Sequence, residues 1–296
     1  MVLICSPHHS LRPEMASIAN IERAYRVLAD REVTRLEYSL LHKPSTEQAF
    51  YSVHNSLKHR RNNRYSNVLA YDRTAVTVDG EYLNANVVTD GKGGRWIAAQ
   101  APPPQTFDTF FKALYSGAAT GRPPNNVIVV QLTGWEESGI PKADPYMEHK
   151  MPDMGVHLSR REIIDRISST LTEVALQGDR RVNLFHYQFD AWPDHGVPTG
   201  TAVQALRELV KEVEEKRREL DCEVWVHCSA GVGRTGTFIA LSSLLSPDAP
   251  NVSSPIGPLP QEIAGDRIAK TVDTIRESRG MLVQTPGQFE LLYRMQ

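Results

Sequence analysis

The chain has 296 residues, 41% of them hydrophobic and 23% charged, with 33 basic and 35 acidic side chains for a formal net charge of −2. That is apolar material for one large α/β domain or two small ones, and the balanced charge gives no general pull toward nucleic acid. Three cysteines, Cys5, Cys222 and Cys228, make neither a disulfide framework nor a zinc-spaced cluster, and no run of ~18 apolar residues is present to enter a membrane.

In chain order, Val2-Leu3-Ile4-Cys5 is too short for an apolar leader, so a soluble protein of a reducing, cytoplasmic compartment is expected. Ile18, Ile21, Tyr25 and Leu28 at helical spacing predict a packing helix between about Pro13 and Leu41. The basic stretch Lys58-His59-Arg60-Arg61-Asn62-Asn63-Arg64 runs into Tyr65-Ser66-Asn67-Val68-Leu69-Ala70 and reads by itself as a solvated loop. Strands are predicted at Ala75–Val78, Tyr82–Val88, Trp96–Ala99, Val127–Leu132 and Val182–Phe189, with a helix near Thr106–Ser116 among them. From Ala202 to Leu220, Val203, Leu206, Leu209, Val210 and Val213 share one face of an amphipathic helix. Val224-Trp225-Val226 is a strand and Phe238-Ile239-Ala240-Leu241 part of a helix; Ser246–Pro260 is a Pro/Ser-rich loop, and Phe289–Tyr293 a terminal helix. The order fits an α/β fold, a highly twisted mixed sheet flanked by helices.

Between the Val224–Val226 strand and the following helix lies His227-Cys228-Ser229-Ala230-Gly231-Val232-Gly233-Arg234-Thr235-Gly236. A cysteine opening a glycine-bearing turn into a helix sits where backbone N–H groups and the positive end of the helix dipole converge, a site for phosphate or another oxyanion. The same field favours a nucleophilic thiolate at Cys228. The planar, always-charged fork of Arg234 can grip two phosphate oxygens, which a lysine cannot reproduce. An isolated cysteine is most often buried and inert. The strand–loop–helix context speaks for the other reading here.

Upstream, Trp192-Pro193-Asp194-His195-Gly196-Val197-Pro198 is a loop with restricted ends whose one carboxylate is Asp194. On a loop that closes over substrate, such an acid can protonate a departing oxygen and later take a proton from an attacking water. Downstream, Gln284-Thr285-Pro286-Gly287-Gln288 opens the terminal helix and reads alone as a helix start.

The pattern His-Cys-x5-Arg-Thr-Gly resembles the signature loop of the cysteine-dependent protein-tyrosine phosphatases, and Trp192-Pro193-Asp194 resembles that family's mobile acid loop. The likeness extends from about residue 45 to the end of the chain, through Tyr82-Leu83-Asn84-Ala85-Asn86 and Trp96-Ile97-Ala98-Ala99-Gln100-Ala101-Pro102. It implies a single domain of the phosphotyrosine protein phosphatase fold, with the cysteine loop at the C-terminal end of a central strand. It assigns Cys228 as nucleophile, Arg234 as phosphate clamp, Asp194 as general acid and base, and Gln284 as the group that orients the second-step water. Gln288 matches a second family glutamine. Tyr65 matches the tyrosine that walls a deep pocket, which would leave phosphoserine short of the thiolate. Asn67 stands where many members carry Asp, and Ala70 where a Pro is usual. Ser229, Ala230, Gly231, Val232 and Gly233 would line the phosphate.

Supporting roles implied by the resemblance fall to His227 in organising the loop and lowering the thiol pKa, Thr235 toward the departing thiolate, Trp192 in the acid loop, Glu137 toward Arg234, and Lys142 toward Asp194. Arg276 and Arg279 match arginines that brace the site. The expected partners are phosphotyrosine-containing proteins, with phosphate or other oxyanions as product or inhibitor. No metal, cofactor, nucleic acid or membrane insertion is expected, and the protein should be a monomer. The rival from another class is a catalytically silent phosphotyrosine-binding module. A further alternative keeps the enzyme but changes the substrate to phosphoserine or phosphothreonine, an inositide or an RNA 5′-phosphate.

Overall fold

The computed structural model describes residues 17–41, 45–194 and 196–296. Cys5 and the start of the helix expected from Pro13 lie outside them, as does His195. The elements in chain order are α1 (Ile18–Ser39), α2 (Thr46–Ala49), α3 (His54–Lys58), β1 (Ala75–Val78), β2 (Glu81–Thr89), β3 (Arg95–Ala99), α4 (Phe107–Ser116), β4 (Asn126–Gln131), β5 (Glu136–Glu137), β6 (Ile140–Pro141), β7 (Gly155–Ile164), β8 (Ser169–Gln177), β9 (Arg181–Phe189), α5 (Thr201–Leu220), β10 (Glu223–His227), α6 (Gly233–Leu244), α7 (Arg267–Arg276) and α8 (Pro286–Arg294).

Eight strands form one mixed sheet in the order β1-β2-β3-β10-β4-β9-β8-β7. The four inner strands β3, β10, β4 and β9 run parallel, and antiparallel strands flank them on both sides. Parallel strands buried on both faces need apolar side chains at successive positions, which Val127–Val130 and Val224–Val226 supply. Successive side chains alternate between faces. Trp96, Ala98, Ile128, Val130, Val224 and Val226 therefore pack in one cluster with residues of α5 to α8 and with Ala24 and Leu28 of α1. Ile97, Val127, Val129 and Trp225 pack in the other with α4. Full burial of each such aliphatic side chain contributes about 1.5–3 kcal/mol. This two-sided core fixes β10 at mid-sheet and so places the turn that follows it.

The α/β sheet flanked by helices agrees with the expected fold class. Two differences stand out. Strands β7 and β8 and helix α7 were not among the expected elements. Strand β7 is at the sheet edge, with a run of exposed residues through its middle and no clean alternation to read. Helix α7 is capped by Asp266, whose side chain accepts from Ile268 and Ala269 N–H.

α1 is joined to α7 by a buried charge cluster. The fully buried Arg35 donates to Asp273 (2.6 Å) and Glu277 (2.5 Å), Arg31 donates twice to Asp273 (2.9 Å), and Tyr51 donates to Glu277 (2.6 Å). Removing one partner of a buried pair leaves the other charges without compensation. Arg35→Ala is therefore expected to lower stability by about 3–5 kcal/mol, read as a shifted urea midpoint with unchanged slope. An unchanged midpoint would contradict the assigned role of the cluster.

Candidate active site

Cys228 follows the C-terminal end of β10 and is 6% exposed, at the base of a turn that enters α6 at Gly233. The carbonyls of this turn are tied outward. His227 meets Cys228 O through Nδ1 (2.9 Å), Ala101 N–H donates to Ser229 O (2.9 Å), and Arg279 donates to Ala230 O (3.2 Å) and Gly231 O (2.8 Å). Val232 O accepts from Gly236 N–H (2.9 Å) and Val283 N–H (3.2 Å). Gly231 N–H points inward to the Cys228 sulfur at 3.3 Å.

Gly231 has φ +74°, and a Cβ there would lie 2.0 Å from Ala99 O. Glycine is required at that position both by conformation and by space. A Cβ at Gly236 would lie 2.3 Å from Val283 N, so its absence lets the segment before Gln284 approach α6.

Arg279 is fully buried and its other N–H groups go to Asn84 and Asn86 Oδ1, each at 2.8 Å. Burial pulls its pKa down to about 10, which still leaves it charged at neutral pH. It is the brace that ties the Ala230 and Gly231 carbonyls to β2.

Arg234 makes a two-pronged pair with Glu137, Nη1 to Oε1 at 2.5 Å and Nη2 to Oε2 at 2.8 Å. It also donates to Leu132 O (3.1 Å), Pro193 O (3.1 Å) and Asp194 O (3.4 Å). The backbone of the loop carrying Asp194 is thereby tied to Arg234. Trp192 is buried in that loop, donates to Gly196 O (3.3 Å), and has its ring 5.9 Å from the Arg234 guanidinium. Burial raises the Glu137 pKa, but hydrogen bonds from Arg234 and Thr133 outweigh it and hold the carboxyl below the usual range.

Lys142 Nζ is 2.9 Å from Asp194 Oδ1, and the Asp194 side chain is 12% exposed. Hydrogen bonds from Lys142 and then Ser138 hold this carboxyl down at about 2. A group so depressed is a carboxylate at neutral pH, and only below that value does it carry the proton an acid must give. Lys142→Ala is therefore expected to raise it toward the ordinary ~3.9 and to move the alkaline limb of the kcat–pH profile upward by at most about 2 units. A limb that stays or moves down would contradict the pairing.

Behind the turn, Tyr146 Oη lies 2.7 Å from His227 Nε2 and 3.0 Å from His186 Nε2. Because Cys228 O can only accept, His227 carries its proton on Nδ1 and takes the Tyr146 hydroxyl on Nε2. Burial lowers His227 to about 4 and His186 to about 3, so both rings are neutral near pH 7. His227 is thus tied to the loop through its hydrogen bonds, with a neutral ring. Cys222, the residue before β10, has its thiol raised to about 12 by burial and sits a whole strand away from Cys228.

Of the remaining residues, Tyr65 stands beside the turn, 38% exposed, with its hydroxyl 2.8 Å from Ser229 Oγ. Ser229 Oγ in turn donates to Lys142 O (2.6 Å). Thr235 is fully buried and its hydroxyl has no hydrogen-bond partner among the described residues. Gln288 is buried against Gly233 and closes a capping box with Thr285, its Oε1 accepting from Gln284 N–H (2.9 Å). Gln284 itself is exposed. Asn67 is exposed and lines, with Gln284, a groove of ≈ 560 Å³ whose walls include Val33 and Leu36 of α1 and Leu40 at its C-cap. Tyr146 and His186 were missed by sequence reasoning, because their partners are distant in the chain and no local pattern marks them.

The family described as protein-tyrosine phosphatase matches residues 59–296. Tyrosine-protein phosphatase 3 of Schizosaccharomyces pombe is 30% identical over 198 residues, covering 62% of this chain and 64% of its own length. Tyrosine-protein phosphatase 3 of Dictyostelium discoideum is 27% identical, covering 90% and 30%, and human receptor-type tyrosine-protein phosphatase F is 31% identical, covering 78% and 12%. The chain spans less than two thirds of the length of each of these relatives. A solved structure of PTPN18, from work on its fingerprint on distinct HER2 tyrosine phosphorylation sites, has a TM-score of 0.71 at 20% identity over 93% of both chains, a likeness of fold. No helix among the described residues is long and apolar enough to cross a membrane.

Proposed function

This chain belongs to the protein-tyrosine phosphatase family, and we propose that it is an active member, hydrolysing phosphotyrosine in proteins through a phosphocysteine at Cys228. The observation that carries the reading is Arg234. It is held by Glu137 beside the Cys228 turn while it also grips the acid loop at Pro193 and Asp194. Clamp and acid loop thus share one anchor at the start of the helix that the Cys228 turn enters, an arrangement a silent binding module does not need.

In the first step the Cys228 sulfur attacks phosphorus in line. Arg234 and the loop amides hold the equatorial oxygens, and Asp194 protonates the tyrosyl oxygen as the P–O bond breaks. The incoming phosphate brings negative charge next to Asp194 and opposes its pairing with Lys142, which restores the proton needed for donation. In the second step Gln284 orients a water, Asp194 takes its proton, and the S–P bond breaks. The buried hydroxyl of Thr235 is available to the returning thiolate. Ser229, Ala230, Gly231, Val232 and Gly233 form the cradle.

The position of Tyr65 beside Ser229 supports tyrosine selectivity, because a wall there sets the pocket depth. Arg60 and Arg61, exposed near this rim, favour acidic residues around the phosphotyrosine. The exposed Asn67 stands at the groove, where the flanking peptide would pass. Cysteine chemistry fits a reducing compartment, and oxidation of the Cys228 sulfur by peroxide would inactivate the enzyme reversibly.

The test is phosphate release by the full chain from matched phosphotyrosine and phosphoserine peptides, with chelator and reductant present. Selective turnover of the phosphotyrosine peptide supports the reading. Binding without turnover would replace it with the module, and equal turnover would remove the role given to Tyr65.

A further inference from the structure

Helix α1 lies wholly before residue 59, where the family match begins, yet it grips the segment that presents Gln284. Tyr25 donates its hydroxyl to the Gln284 carbonyl at 2.6 Å, and Glu32 accepts from Met281 N–H at 2.8 Å. Arg276 donates to Leu28 O of α1 (2.9 Å) and, on its other side, to Leu282 O (2.8 Å) and Val283 O (2.9 Å).

The gripped segment is strained. Met281 has φ +63° and Val283 φ +59°. A β-branched residue in the left-handed region is a genuine outlier and persists only where its surroundings over-determine it. On one side the segment is held by Val232 O of the cysteine turn. On the other, at Gln284 itself, it is held by Tyr25. Burial raises the Tyr25 hydroxyl above its ordinary value against the lowering effect of Arg276, so it stays a donor.

We propose that Tyr25 is a positioning residue for the second half-reaction, fixing the Gln284 backbone so that its side-chain amide orients the attacking water. The inference rests on the reading under Proposed function. In that step a water oxygen bonds to phosphorus, the S–P bond breaks with its electron pair returning to Cys228, and the water proton passes to Asp194. Tyr25 exchanges no proton and touches no reacting atom. Its hydroxyl sets the rate at which the phosphoenzyme is hydrolysed and leaves the rate of its formation unchanged.

The test uses the full chain and p-nitrophenyl phosphate, in stopped flow and in steady state. Tyr25→Phe keeps the ring that packs 5.7 Å from Phe289 and removes only the donor. It is expected to lower kcat about 3- to 10-fold, the effect of losing one ordinary hydrogen bond. KM falls in step, kcat/KM stays unchanged, and a burst of nitrophenolate appears or grows. Gln284→Ala gives the same split, and adding Tyr25→Phe to it has no further effect. Unchanged kcat in a working wild type, a parallel fall of kcat and kcat/KM, or additive effects in the double variant would overturn the inference alone. A wild type that releases no nitrophenolate would overturn the proposed function, and this inference with it.

Discussion

Cys228→Ser is expected to lower phosphate release from a phosphotyrosine peptide by about 10⁴-fold or more, the scale seen when a covalent nucleophile is removed. The hydroxyl is a far weaker nucleophile than a thiolate, and nothing else in the turn is placed to replace it. The turn itself should survive. Its carbonyls are held by Ala101 N–H, Arg279, Gly236 N–H and Val283 N–H, none of which involves the sulfur. The variant should therefore still bind the phosphopeptide, measured by calorimetry or fluorescence polarisation. Loss of binding together with turnover would mean that the sulfur shapes the cradle.

The second large effect is at Arg234. Arg234→Ala is expected to lower kcat by about 10³- to 10⁵-fold, the range for a guanidinium that stabilises charge on a transferring phosphoryl group. Two causes add. The equatorial oxygens lose a bidentate donor, and the acid loop loses its contacts at Pro193 and Asp194. Glu137, held low by this arginine, would be left as an unpaired carboxylate facing the incoming phosphate. Arg234→Lys should recover little, because a point charge cannot bridge Glu137 and the phosphate in one plane. Wild-type kcat in Arg234→Ala, with only KM raised, would reduce the residue to a binding role.

What was legible in the sequence was what local pattern determines. The apolar run of β10, the glycines of the turn and the apolar start of α6 together specify a strand, a tight loop and a helix, which places Cys228 from local pattern alone. Two-sided burial made the parallel strands readable as apolar runs. The edge strand β7 is solvated through much of its length and gave no such run. Helix α7 was readable in principle, from Asp266 at its cap and Ile268, Val272 and Ile275 on one face.

The supporting side chains of the site were less legible. Glu137 and Lys142 were assigned to Arg234 and Asp194 only by resemblance, and the structure places them at 2.5 and 2.9 Å from those partners. Tyr146 meets His227 across 81 positions and Tyr25 meets Gln284 across 259, separations over which no periodicity carries information. The neutral state of His227 is also a tertiary property, set by its complete burial.

The central claim, that a phosphoryl group passes from tyrosine to Cys228, is tested most directly by trapping it. The full chain is mixed with a phosphotyrosine peptide, quenched in acid within a turnover, and mapped by mass spectrometry. One phosphoryl group on the proteolytic fragment containing Cys228, absent from Cys228→Ser, is the predicted result. Continued phosphate release with no modified fragment, or the group on a different residue, would contradict the account.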